Sequence, residues 1–130
     1  MIRLLFLCLA FAAPLTQTAL AQELLEPEKA FRFSARALGA DALEVKFAIA
    51  DGYYMYRERF KFEARNARLG APELPPSERM FFKYSGATET YRKEVVVRLP
   101  FTAPDGLDTV TLKANSQGCA DIGVCYPPNP

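Results

Sequence analysis

Histidine is absent from all 130 residues. Its absence excludes Ser-His-Asp and Cys-His catalysis and the usual histidine-containing metal sites. Cysteine is scarce, with only Cys8, Cys119 and Cys125, and the two that lie outside the N-terminal segment cannot complete a four-thiolate zinc site. No charge of one sign dominates: 16 Lys and Arg face 15 Asp and Glu. No basic block stands out either, so nothing points to nucleic acid. Beyond the first residues there is no long apolar run, and a membrane span needs about 20 such residues. Chemistry in this chain is left to thiols, carboxylates, tyrosines and lysines.

The N-terminus sets the compartment. Arg3 supplies one positive charge, Leu4 to Ala13 is almost unbroken apolar sequence, and Ala19-Leu20-Ala21 has the small-x-small pattern that signal peptidase accepts. This predicts a secretory signal peptide over residues 1–21, cleaved before Gln22. A lipidated cysteine follows a small residue, whereas Leu7 precedes Cys8. Residues 22–130 then form one soluble domain with its own core, carry no net charge, and hold a cysteine pair that can oxidise outside the cytosol.

That domain reads as short strands. Phe31, Phe33 and Ala35 alternate with polar residues, as do Leu43, Val45, Phe47 and Ile49, a period of two that marks strands with one face buried. Further strands are predicted at Tyr53–Tyr56, Phe60–Ala64, Glu94–Leu99 and Thr109–Ala114, with a last pair around the cysteines. Turns are predicted at Gly39–Asp41, Asp51–Gly52, Pro104–Gly106 and Gly118. Glu63–Leu69 could hold one helical turn, and the proline-bearing stretch Gly70–Gly86 reads as a loop. Its second half, Met80-Phe81-Phe82-Lys83-Tyr84, is apolar and aromatic, and must cover either the core or a site. Many short strands without a long helical period predict an all-β sandwich.

Five residues separate Cys119 from Cys125. A connection of that length can turn the two sulfurs toward each other across a hairpin, bridged at a Cα separation of about 5.5–6 Å. A structural staple is the ordinary reading of such a pair in a small secreted domain. Yet closing so short a loop removes only roughly 2.5 kcal/mol of unfolded-state entropy. A bridge of that kind is cheap to open, so a structural and a redox role both stay open on the residues alone.

The run Gly118-Cys119-Ala120-Asp121-Ile122-Gly123-Val124-Cys125-Tyr126-Pro127-Pro128 closely resembles the active-site segment of the N-terminal periplasmic domain of DsbD, the transmembrane thiol:disulfide interchange reductases. Asp51-Gly52-Tyr53-Tyr54-Met55-Tyr56-Arg57 resembles a second family segment, and Gly86 with Glu89-Thr90-Tyr91-Arg92 a third. The three lie in family order within about Pro27 to Pro128. The resemblance implies an immunoglobulin-like β-sandwich in the periplasm, with the redox cysteines on a hairpin near its C-terminus. It implies a protein-disulfide reductase fed by the thioredoxin-like domain of a DsbD-type reductase. Its acceptors would be the periplasmic disulfide isomerase and the cytochrome c maturation thioredoxin.

By the same resemblance, Cys125 forms the intermolecular bond and Cys119 resolves it. A cap loop shields the pair, with Tyr84 at the matching aromatic position and Phe81 and Phe82 beside it. The family's acidic residue two positions before the cap aromatic is replaced by Phe82. Tyr54 and Tyr56 match tyrosines near the disulfide, in positioning roles, because a phenol is a poor base at neutral pH. Asp121, inside the cysteine loop, would raise a thiol pKa, and Tyr126 is expected to line the site. No metal, nucleotide or organic cofactor is implied, nor any membrane span in the mature chain. Family chains run on past this motif, so a domain ending at Pro130 is expected to be either a fragment or a stand-alone form, without the strand that follows. The alternative class is a secreted immunoglobulin-like binding module with a structural disulfide.

Overall fold

Apolar residues at every second position of Ala42–Ile49 make this segment the spine of one sheet. In the computed structural model it is β2, and its inward residues Val45, Phe47 and Ile49 are buried. Residues 23–83, 86–106 and 108–128 are described; the expected signal peptide and Tyr84 lie outside them. β2 pairs antiparallel with β1 (Phe31–Ala37) on one side and β8 (Glu94–Thr102) on the other, and β5 (Arg68–Leu69) adds to β8. The second sheet has five strands. In spatial order they are β11 (Val124–Cys125), β10 (Gly118–Ala120), β3 (Tyr53–Tyr56), β7 (Gly86–Tyr91) and β6 (Glu78–Phe82). A ribbon of β4 (Lys61–Ala64) and β9 (Leu112–Asn115) completes the immunoglobulin-like sandwich.

The two main sheets share one core. Val45, Val95, Val97 and Leu99 are fully or almost fully buried on the first, and Met55, Tyr91 and Ala120 meet them from the second. Phe60 bridges the layers, with its ring 5.3 Å from Phe47 and 6.0 Å from Tyr91. Each such side chain contributes roughly 1.5–3 kcal/mol by leaving water. The sheet that carries the cysteines is therefore backed by the main hydrophobic mass of the domain.

Several expectations need correcting. The stretch Glu63–Leu69 is extended into β4 and β5 rather than helical, because its alternation and its partners β9 and β8 outweigh the helix preference of Ala and Arg. The segment Gly70–Gly86 is not all loop. Once past Pro72, Pro75 and Pro76 the chain recovers its amide donors, and Glu78–Phe82 forms a hairpin strand with β7. β8 extends to Thr102, and β9 begins only at Leu112. β1 does not bury a face as its alternation suggested: Phe33 is 51% exposed. It is an edge strand, and its inner side opens on a groove of about 610 Å³ bordered by Phe47, Leu112 and Tyr126.

Gly118 is a strand residue, not a turn. Its glycine identity is a matter of space. A Cβ here would lie 2.2 Å from Cζ of Phe31, whose ring packs edge-on against both Tyr53 and Tyr126. Gly118→Ala must push that ring toward the groove, and we expect a loss of about 1–3 kcal/mol. An unchanged urea midpoint would contradict this packing.

Candidate cysteine site

Strand alternation assembles the site. Tyr53 and Met55 of β3 point into the core, so Tyr54 and Tyr56 occupy the opposite face. Cys119 lies directly across from Tyr54 on one side and from Cys125 on the other. Tyr54, Cys119 and Cys125 therefore form one row across three strands. The two cysteines are joined, with Cα atoms 4.0 Å apart, closer than the 5.5–6 Å expected. The register explains the difference. The Tyr126 amide bonds the Gly118 carbonyl at 3.0 Å, which makes 119 and 125 a non-hydrogen-bonded pair, the closer kind in an antiparallel ladder.

The two sulfur-bearing residues differ in access. Cys119 is completely buried, whereas Cys125 is exposed on its short edge strand. The Tyr56 hydroxyl stands 3.4 Å from the Cys119 sulfur and 3.8 Å from that of Cys125. Neither sulfur of a disulfide carries a proton, so Tyr56 is the donor. Burial, reinforced by a hydrogen bond with Tyr56, pushes the Tyr54 hydroxyl well above its ordinary pKa, so it stays protonated.

The same parity orders the aromatic strand. Phe82 shares the sulfur-bearing face and packs 5.7 Å from the Tyr54 ring and 6.3 Å from Tyr56. Phe81, one residue earlier, points the other way and is 79% exposed. Tyr126 is not brought to the sulfurs. As the neighbour of Cys125 it faces the core side, with its ring against Phe31 and Tyr53 and its hydroxyl donating to the Leu25 carbonyl. It braces the hairpin from behind, helped by the Gln117 side-chain amide, which donates to its carbonyl at 3.2 Å.

Asp121 sits in the hairpin turn, where its amide bonds the Gly52 carbonyl at 2.8 Å. Its carboxylate is not free, because Arg92 donates to both oxygens, at 3.0 and 2.8 Å. That fork holds the Asp121 carboxyl below the usual carboxylate range. Arg92 also lies over the Tyr54 ring, 5.3 Å from its centroid. Both partners are partly exposed, and a pair of that kind adds at most about 1 kcal/mol, so its importance is in what it positions. Arg92 was visible in the sequence only as part of a motif; its partner lies 29 residues away, and no local spacing connects them. Among the described residues no cluster of His, Cys, Asp or Glu could hold a metal, and no helix is long and apolar enough to cross a membrane.

The family model described as the N-terminal part of the thiol:disulfide interchange protein DsbD matches residues 21–130. The thiol:disulfide interchange protein DsbD of Ralstonia nicotianae is 45% identical over 98% of this chain and 21% of its own. DsbD 2 of Pseudomonas aeruginosa is 37% identical over 82% and 17%. This chain therefore spans about a fifth of the length of these curated relatives. Among solved structures, the reduced N-terminal domain of Neisseria meningitidis DsbD superposes with a TM-score of 0.69 at 36% identity, covering 82% of this chain and 84% of that one. The complex between the N-terminal domains of DsbD and PilB from the same organism gives 0.65 at 35% identity, covering 84% of each chain.

The packing of Phe82 on the two tyrosines makes a specific expectation. Phe82→Ala should speed reduction of the disulfide by dithiothreitol severalfold, and Phe81→Ala should leave it unchanged. Stopped-flow rates at equal reductant decide it; equal effects from the two variants would remove Phe82 from the cover.

Proposed function

This chain belongs to the DsbD N-terminal domain family, and from that membership we propose that it is a periplasmic thiol–disulfide exchange domain working through Cys119 and Cys125. The observation that carries the reading is the unequal access of the pair, with Cys119 buried and Cys125 exposed. A thiolate approaching this disulfide meets Cys125 first. Residues 1–21 act as the leader that delivers the domain, residues 22–130, to the periplasm.

Reduction begins when a donor thiolate, from the thioredoxin-like domain of a DsbD-type reductase, attacks the Cys125 sulfur. The 119–125 bond breaks, and Cys119 leaves as a thiolate facing the Tyr56 hydroxyl, which can hydrogen-bond to it. The donor's second thiolate then displaces Cys125. The domain gains two electrons, and the donor becomes a disulfide.

Toward an acceptor the steps reverse. The Cys125 thiolate attacks one sulfur of the partner's disulfide, and the other partner sulfur leaves as a thiolate and takes a proton. Cys119 then attacks Cys125, closing the intramolecular bond and releasing the reduced partner. The acceptors are the periplasmic disulfide isomerase and the cytochrome c maturation thioredoxin. A solved relative engaged with the PilB N-terminal domain supports a domain of this kind docking a second protein. Phe82 and the cap hairpin shield the pair between encounters, and Tyr54 and Tyr56 position it.

Trapping tests the proposal. Cys119→Ser should accumulate mixed disulfides through Cys125 with thioredoxin-fold proteins of periplasmic extract, whereas Cys125→Ser should accumulate few. Self-dimers alone, with a reduction potential below about −300 mV, would instead mark the bond as a structural staple in a binding module.

A further inference from the structure

Arg92 follows β7, at the point where the chain reverses into β8 through Lys93, which adopts a left-handed φ of 66°. Its position places its side chain on the face that carries the sulfurs, where it meets three separate parts of the site. The guanidinium forks onto Asp121 in the cysteine hairpin, lies over Tyr54 of β3, and reaches the Met80 sulfur of β6 at 3.6 Å. One residue thus touches the hairpin that holds the disulfide, the strand paired with it and the edge strand that carries Phe82.

We propose that Arg92 is a positioning residue for the cysteine pair: it ties these three parts together and cancels the Asp121 charge beside the sulfurs. This deepens the exchange reading and takes its functional meaning from it. Asp121 is two residues from Cys119 and four from Cys125, in a tight turn. A bare carboxylate there would oppose formation of a thiolate. With both oxygens held by a guanidinium, the sulfurs face a neutral pair.

Several charged and titratable groups share this face. β3 contributes the phenols of Tyr54 and Tyr56, the turn contributes Asp121, and the end of β7 contributes Arg92. From β6, Glu78 lies near enough to act on Arg92, and Lys83 follows that strand. Arg79 is bound to Glu89 on the opposite face.

The test is the alkylation rate of Cys125 in the reduced protein with iodoacetamide, followed from mildly acidic to alkaline pH with the adduct located by mass spectrometry. At neutral pH, Arg92→Gln should slow alkylation about three- to tenfold, which corresponds to an upward shift of the thiol's titration by about half a unit to one unit. Asp121→Asn should be no slower than the parent. The double variant should return to within about twofold of the parent, because the unpaired carboxylate is gone.

Both single variants lose the same ion pair, so a merely fastening role would change their rates alike and leave the double variant changed to the same extent; that pattern would overturn the proposal. An unchanged Arg92→Gln profile would overturn it as well. These rates report on the thiol itself. A failure to reduce any partner disulfide would therefore sink the exchange reading while the influence of Arg92 on the thiol stood.

Discussion

Everything at the site depends on the antiparallel pairing of β3 with β10. That register sets Cys119 beside Tyr54 and, through the short hairpin, Cys125 beside Cys119. A slip of one residue would turn both sulfurs into the core and both tyrosines away from them. The pairing is pinned from behind by Met55, Tyr53 and Ala120, which are core residues, and by Gly118, whose missing side chain lets the Phe31 ring lie against β10. The reactive row thus inherits its precision from hydrophobic packing on the opposite face of the same strands.

The electrostatics are modest by comparison and act locally. Asp121 could be read as a hindrance to thiolate chemistry, and standing alone it would be. The structure supplies a counter-charge from a distant part of the chain and couples it to an aromatic ring and a thioether. The exposed pairs elsewhere, such as Arg36 with Glu44 and Lys46 with Glu94, have no comparable company and lie away from the cysteines. Location, rather than strength, distinguishes the pair at the site.

Much of the fold was legible because period-two alternation is a strong signal where a strand has a buried face, and β2 was read for that reason. β6 was hidden by the three prolines ahead of it, and β1 misled because an edge strand can alternate without a layer to bury it. Gly118 looked like a turn because glycine signals both freedom and closeness, and only the position of Phe31 separates the two. The cysteines and the two tyrosines stood out through the family resemblance. Parity would have refined the rest: residues adjacent in a strand face opposite ways, so Tyr126 could not share a face with Cys125, nor Phe81 with Phe82. Arg92 was beyond reach, since its meeting with Asp121 exists only in three dimensions.

The five-stranded sheet ends in β11 on one side and β6 on the other, and each of these margins has a single hydrogen-bonded neighbour. The exposed Cys125 is on one margin and Phe82 on the other, while β10 and β3 between them are anchored to the core by Ala120, Tyr53 and Met55. Of the two bonded cysteines, only Cys125 belongs to a margin, and Cys119 is buried one strand further in. Either margin can therefore shift against one neighbour alone, leaving the packing between the two sheets in place.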